Sequence, residues 1–94
     1  MKRRSHAKRV DANQAEIIEA LKAIGCSVLV IEEPVDLLVG HRNVTFLLEV
    51  KNPEGFDTLT GKQIQFIETW RGSPVYVVRS VEEAVNAVRT EKTG

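Results

Sequence analysis

Val44-Thr45-Phe46-Leu47-Leu48-Glu49-Val50-Lys51 is an apolar run with a carboxylate and an ammonium near its end. Its length and its β-branched and aromatic content predict a strand. Strand side chains alternate faces, so Glu49 and Lys51 project from the same face, about 6–7 Å apart. Charges are seldom placed on a buried strand unless they are paired or bind something. Just upstream, Gly40-His41-Arg42-Asn43 is polar and reads as a hairpin turn. Before that turn, Pro34-Val35-Asp36-Leu37-Leu38-Val39 supplies another carboxylate on an apolar run, with a strand predicted over Asp36–Val39. The hairpin makes the strands of Asp36 and Glu49 neighbours.

The flanking segments complete an α/β pattern. Ile17, Ile18, Leu21 and Ile24 follow the helical period, so a helix is predicted from Asp11 or Asn13 to about Ile24, with Gly25 ending it. Val28–Ile31 is a short β-branched strand. Asn52–Thr58 is a loop. A second helix begins at Thr60 and carries Gln63, Phe66, Ile67 and Trp70 on one stripe, ending at Gly72-Ser73-Pro74. Val75–Arg79 is a fourth strand. Ser80-Val81-Glu82-Glu83 has the spacing of a capping box and opens a last helix to about Arg89. The order is α-β-β-β-α-β-α. Leu47–Val50 and Val75–Val78 are apolar at successive positions, which predicts a mixed central sheet flanked by helices.

Composition bounds what this fold can be. Ninety-four residues make one domain, and 43% apolar with 28% charged residues suits a globular chain rather than a disordered one. The net charge is zero but uneven. Lys2, Arg3, Arg4, Lys8 and Arg9 are five of the 13 basic residues, leaving 8 basic against 13 acidic residues, or −5, on the rest. Residues 1–10 are therefore expected to form a flexible basic arm, and residues 11–94 a single domain. The arm suits contact with nucleic acid, or it is simply solvated. The single cysteine, Cys26, cannot close an intramolecular disulfide and reads as a small core residue. No apolar run has signal or membrane length, and a cytoplasmic location is expected.

Two acids and a lysine on adjacent strands suit a divalent-metal phosphodiesterase. Phosphodiester cleavage needs a hard cation to bind the phosphate and polarise a water. Magnesium takes few carboxylates and keeps several waters. Asp36 and Glu49 would supply the carboxylates, the Val50 backbone carbonyl a further ligand, and Lys51 the group that orients or deprotonates water or balances phosphate charge. The competing reading makes Asp36 a turn cap and Glu49 with Lys51 an exposed cross-strand pair. Spacing alone serves both. His6 in the arm and His41 in the turn lack partners at metal-ligand spacing, so neither a zinc site nor a Ser-His-Asp triad is supported. Trp70 reads as a core residue rather than a base-stacking platform.

Val35-Asp36, then Glu49-Val50-Lys51 13 positions after Asp36, then Leu59-Thr60-Gly61-Lys62-Gln63, in an αβββαβ order, resemble the PD-(D/E)xK nuclease superfamily. The resemblance covers roughly residues 11–89 and looks most like the small virus-type replication-repair nuclease (VRR-NUC) domains, including phage-encoded ones. Those domains carry a Thr/Ser-x-x-Gln motif after the lysine strand. The resemblance implies a restriction-endonuclease-like core and a magnesium-dependent DNA endonuclease, with manganese as substitute. Asp36, Glu49, Lys51 and Gln63 would then be catalytic, with Gln63 beside the metal site. It also implies a bacterial or phage-infected cytoplasm, selection of branched or four-way-junction DNA, and a possible homodimer. Two positions depart from the pattern. Pro34 comes one residue early, before Val35. Many relatives place a metal-facing glutamate on the first helix, where this chain has Gln14, which can ligate through oxygen but brings no charge. The alternative that Gln14 favours is a catalytically weak or inactive nucleic-acid-binding module on the same fold. A third reading is a protein-interaction domain with Glu49 and Lys51 as a surface pair.

Overall fold

The computed structural model describes residues 12–54 and 59–89. The proposed basic arm, including Lys2, Arg3, Arg4, Lys8 and Arg9, lies outside them. The elements are α1 (Ala12–Ala23), β1 (Ser27–Val30), β2 (Leu37–His41), β3 (Val44–Val50), α2 (Gly61–Thr69), β4 (Val75–Val78) and α3 (Val81–Arg89). The four strands form one sheet in the order β1-β2-β3-β4. β1 pairs antiparallel with β2, β2 antiparallel with β3, and β3 parallel with β4. This is the mixed, helix-flanked sheet expected from the sequence. Among the described residues, no helix is long and apolar enough to cross a membrane.

Strand alternation gives the sheet two unlike faces. Leu37, Val39, Phe46, Leu48 and Val78 join Ile17 and Leu21 of α1 and Ala84, Ala87 and Val88 of α3 in one buried cluster. Burying a leucine or isoleucine fully stabilises the fold by about 1.5–3 kcal/mol, so this face holds the domain together. Leu47 and Glu49 point the other way, and α2 reaches that second face. The cover there is thin, because α2 has no buried residue. β4 is an edge strand, and Val77 is exposed despite its apolar run. Trp70, expected in the core, is 46% exposed at the C-cap of α2.

Local chemistry sets the boundaries. α1 stops at Ala23 rather than Ile24 because Gly25, at φ 100°, turns the chain. Its N–H donates to the Lys22 carbonyl at 3.0 Å, and that of Cys26 to Leu21 at 3.0 Å. This pair of bonds is a Schellman ending, which satisfies carbonyls the helix leaves open and leaves Ile24 exposed. The β2–β3 turn is narrower than expected: only Arg42 and Asn43 form it, at φ 53° and 71°. Two successive left-handed residues match the twist of a two-residue hairpin, so Gly40 and His41 remain in β2. Asp36 lies just before β2 rather than inside it. Its carbonyl accepts from Ile31 N–H at 2.9 Å and Glu32 N–H at 3.2 Å, closing the β1–β2 connection around it. Half of the predicted capping box at α3 forms. Glu83 N–H donates to Ser80 Oγ at 3.1 Å, but the Glu83 carboxylate accepts from Arg79 N–H at 2.7 Å instead of from Ser80.

Candidate functional site

The end of β3 brings four of the predicted residues together. Asp36 and Glu49 each accept a backbone N–H from beside the other. Val50 N–H donates to Asp36 Oδ2 at 2.8 Å, and Asp36 N–H to Glu49 Oε1 at 3.2 Å. These two bonds hold the two carboxyls side by side. Lys51 Nζ lies 3.4 Å from Glu49 Oε2 and donates to Gln63 Oε1 at 3.3 Å. The Gln63 amide in turn donates to Glu49 Oε2. Glu49 is 3% exposed and Lys51 9%, which rules out the exposed surface pair as their environment.

Electrostatics at this site disfavour two ionised carboxyls side by side. Burial pushes both the Asp36 and Glu49 carboxyls above their ordinary values of 3.8 and 4.5, because a charged carboxylate loses water there. The Asp36 charge raises Glu49 further, while Lys51 lowers both. A nearby negative charge from Glu32 also raises Asp36. One lysine faces two adjoining acids, so the pair carries excess negative charge when both ionise.

The donor set fits a hard divalent ion in kind. It consists of carboxylate oxygens from the end of β3 and from the residue just before β2, and magnesium accepts one or two of them with water completing its shell. Among the described residues, no group of three or more His, Cys, Asp or Glu side chains could hold a metal. A cation would therefore rest on Asp36 and Glu49, backbone oxygen and water. Both Glu49 oxygens already accept hydrogen bonds, so ligation would exchange one of those partners. His41 stays apart from this group, in the last position of β2.

The α1 residue bonded to the site strand is Asn13, whose side-chain N–H donates to the Lys51 carbonyl at 2.9 Å. Gln14, matched by resemblance to a metal-facing glutamate, is half-buried. Asn13 stands at a predicted start of the first helix, and no sequence signal marks its contact with Lys51. Thr60-x-x-Gln63 is itself a capping-box spacing. Gln63 N–H donates to Thr60 Oγ1 at 3.2 Å, and Thr60 N–H to Gln63 Oε1 at 2.9 Å. Gln63 therefore caps α2 and joins the Glu49–Lys51 pair with one side chain. Arg79 supports the chain leaving the site, donating from Nη1 to the Asn52 carbonyl at 2.7 Å. No protein-family model, curated protein or solved structure matches the chain.

Proposed function

We propose that this domain is a magnesium-dependent DNA endonuclease. The observation that carries the reading is the connected, buried group of Asp36, Glu49, Lys51 and Gln63 at the end of β3. Buried carboxyls raised by desolvation and by each other's charge are the kind of perturbed groups that cluster at functional sites. The ordered motifs and their resemblance to PD-(D/E)xK nucleases point the same way.

Asp36 and Glu49, with the Val50 carbonyl, would hold the cation. Bound magnesium supplies polarisation of a water and charge neutralisation at the phosphate. Lys51, held by Glu49 and Gln63, donates to the attacking water or to a phosphate oxygen and fixes its position. Gln63 keeps that ammonium aligned through its carbonyl oxygen. A domain this small has little surface for reading bases, so selection falls on DNA structure, such as a branch or a four-way junction. The basic arm would add phosphate contacts. A homodimer would place two such sites on two strands.

A second reading, an inactive nucleic-acid-binding module, draws support from the uncharged Gln14 and from the complete hydrogen bonding of Glu49. Four-way-junction, flap and plasmid DNA incubated with and without magnesium or manganese separate the two. Metal-dependent cutting that disappears in folded Asp36→Asn and Lys51→Ala supports the nuclease. Tight binding without cutting supports the second reading.

A further inference from the structure

A cleft of about 690 Å³ opens beside the acid pair. One wall is the loop Glu32-Glu33-Pro34, and the other is α2 through Gln63, Gln65 and Phe66. Gln63 belongs to both cleft and site, since its amide donates to Glu49. The volume lies in the usual range of small-ligand pockets, about 300–1,000 Å³.

The chemistry of the walls narrows the occupant. Phe66 offers a half-buried ring, stacked on Trp70 with centroids 5.1 Å apart and planes tilted 30°. Trp70 is itself held against Gly72, where an added Cβ would lie 2.7 Å from the indole nitrogen. A ring fixed in this way is a stacking surface that accepts any nucleobase. Pro34 adds an apolar patch to the other wall. Glu32 and Glu33 repel a phosphodiester but accept hydrogen bonds from exocyclic amines, as acids do from cytosine. The Gln63 and Gln65 amides offer donors and acceptors for a base edge. Lys62 on the same rim supplies a cation for an adjoining phosphate.

We propose that this cleft receives one unpaired nucleobase of a DNA strand whose phosphodiester lies at Asp36 and Glu49. The inference rests on the nuclease reading and narrows its substrate to DNA with an unstacked nucleotide at the cut, as at a flap or branch edge. An intact duplex keeps its bases stacked and offers the cleft nothing. The acid wall makes cytosine a better occupant than thymine, which has no exocyclic amine.

Trp70 is the single tryptophan of the chain and packs on Phe66 of the cleft wall, so its emission reports what stacks on that ring. The full chain is titrated with oligo-dC, oligo-dT and a blunt duplex of equal length in calcium, which also takes carboxylate oxygens and can stand in for magnesium at the acid pair. Oligo-dC should shift the emission at the lowest concentration, oligo-dT at a higher one, and duplex not at all. Phe66→Ala should weaken oligo-dC binding by about tenfold or more, the loss of one stacking contact. The double variant Glu32→Ala/Glu33→Ala, with unchanged circular dichroism, removes the acceptor oxygens and should abolish the preference for oligo-dC. Equal responses to duplex and single strands, or a preference that survives in the double variant, overturns the base site. Metal-dependent cutting with unaltered emission also overturns the cleft proposal while leaving the nuclease. An oligo-dC response without any cutting supports the base site and overturns the nuclease.

Discussion

Lys51→Met tests whether Glu49 and Lys51 form a truly buried pair. The Nζ–Oε2 distance is 3.4 Å, and the two side chains are 10% and 4% exposed. At an effective dielectric of about 20, that separation gives a gross attraction of about 5 kcal/mol. Desolvation offsets much of it in the intact pair. Removing only the lysine leaves a carboxylate buried beside Asp36, and such a change costs about 3–5 kcal/mol. That is a large share of the roughly 5–15 kcal/mol expected for a domain. The sign of the pH dependence follows. Without Lys51, the folded-state pKa of Glu49 rises further above its ordinary 4.5. The penalty is then absent below that value, grows as pH rises through the gap, and is complete above the folded pKa. Urea unfolding at neutral and mildly acidic pH should show a loss that shrinks on acidification. Lys51→Met/Glu49→Gln should recover much of it, because no unpaired charge remains. A loss below about 1 kcal/mol at neutral pH, the range of exposed pairs, would refute the reasoning. So would a loss that does not change with pH.

Asp36→Asn keeps an oxygen for Val50 N–H but removes the charge that raises Glu49. It should raise the urea midpoint at neutral pH, with the gain fading as pH falls through the raised folded-state values toward the ordinary 3.8 and 4.5. Calorimetry should show magnesium binding to the wild type and none to this variant. Thr60→Ala removes the oxygen that accepts from Gln63 N–H and should cost about 1 kcal/mol. Urea unfolding should show that Thr60→Ser restores it, whereas full stability in Thr60→Ala would mean that the cap contributes nothing.

The fold was legible because each element leaves a local mark. The runs at Val44–Val50 and Val75–Val78, the Gly25 stop and the 3.6-residue stripe of α1 each reflect a backbone requirement that a sequence must meet. Asp36, Glu49 and Lys51 could be placed on neighbouring elements from one hairpin. Depth of burial was harder to read. Trp70 and Val77 look like core residues, yet exposure depends on what covers the second sheet face, and apolar content does not say which face a helix will cover. Asn13 illustrates the same limit: its contact with Lys51 spans 38 positions, and pairing at that range is set by packing rather than by spacing. The Gln63 motif is visible in the sequence, but its double role comes from packing that lets one amide serve both the α2 cap and Glu49.

The thin attachment of α2 has a thermal consequence. A helix without a buried side chain, fastened by Gln63 to a charged pair, can leave the sheet while exposing comparatively little hydrocarbon to water. The heat-capacity change of such an opening is small, since that quantity scales with apolar area uncovered. Opening of α2 should therefore follow a nearly straight line with temperature, while unfolding of the α1–α3 face follows the curved dome of a hydrophobic core. Access to the acid pair would then change with temperature at a steady slope, without the stability maximum that a hydrophobic core imposes.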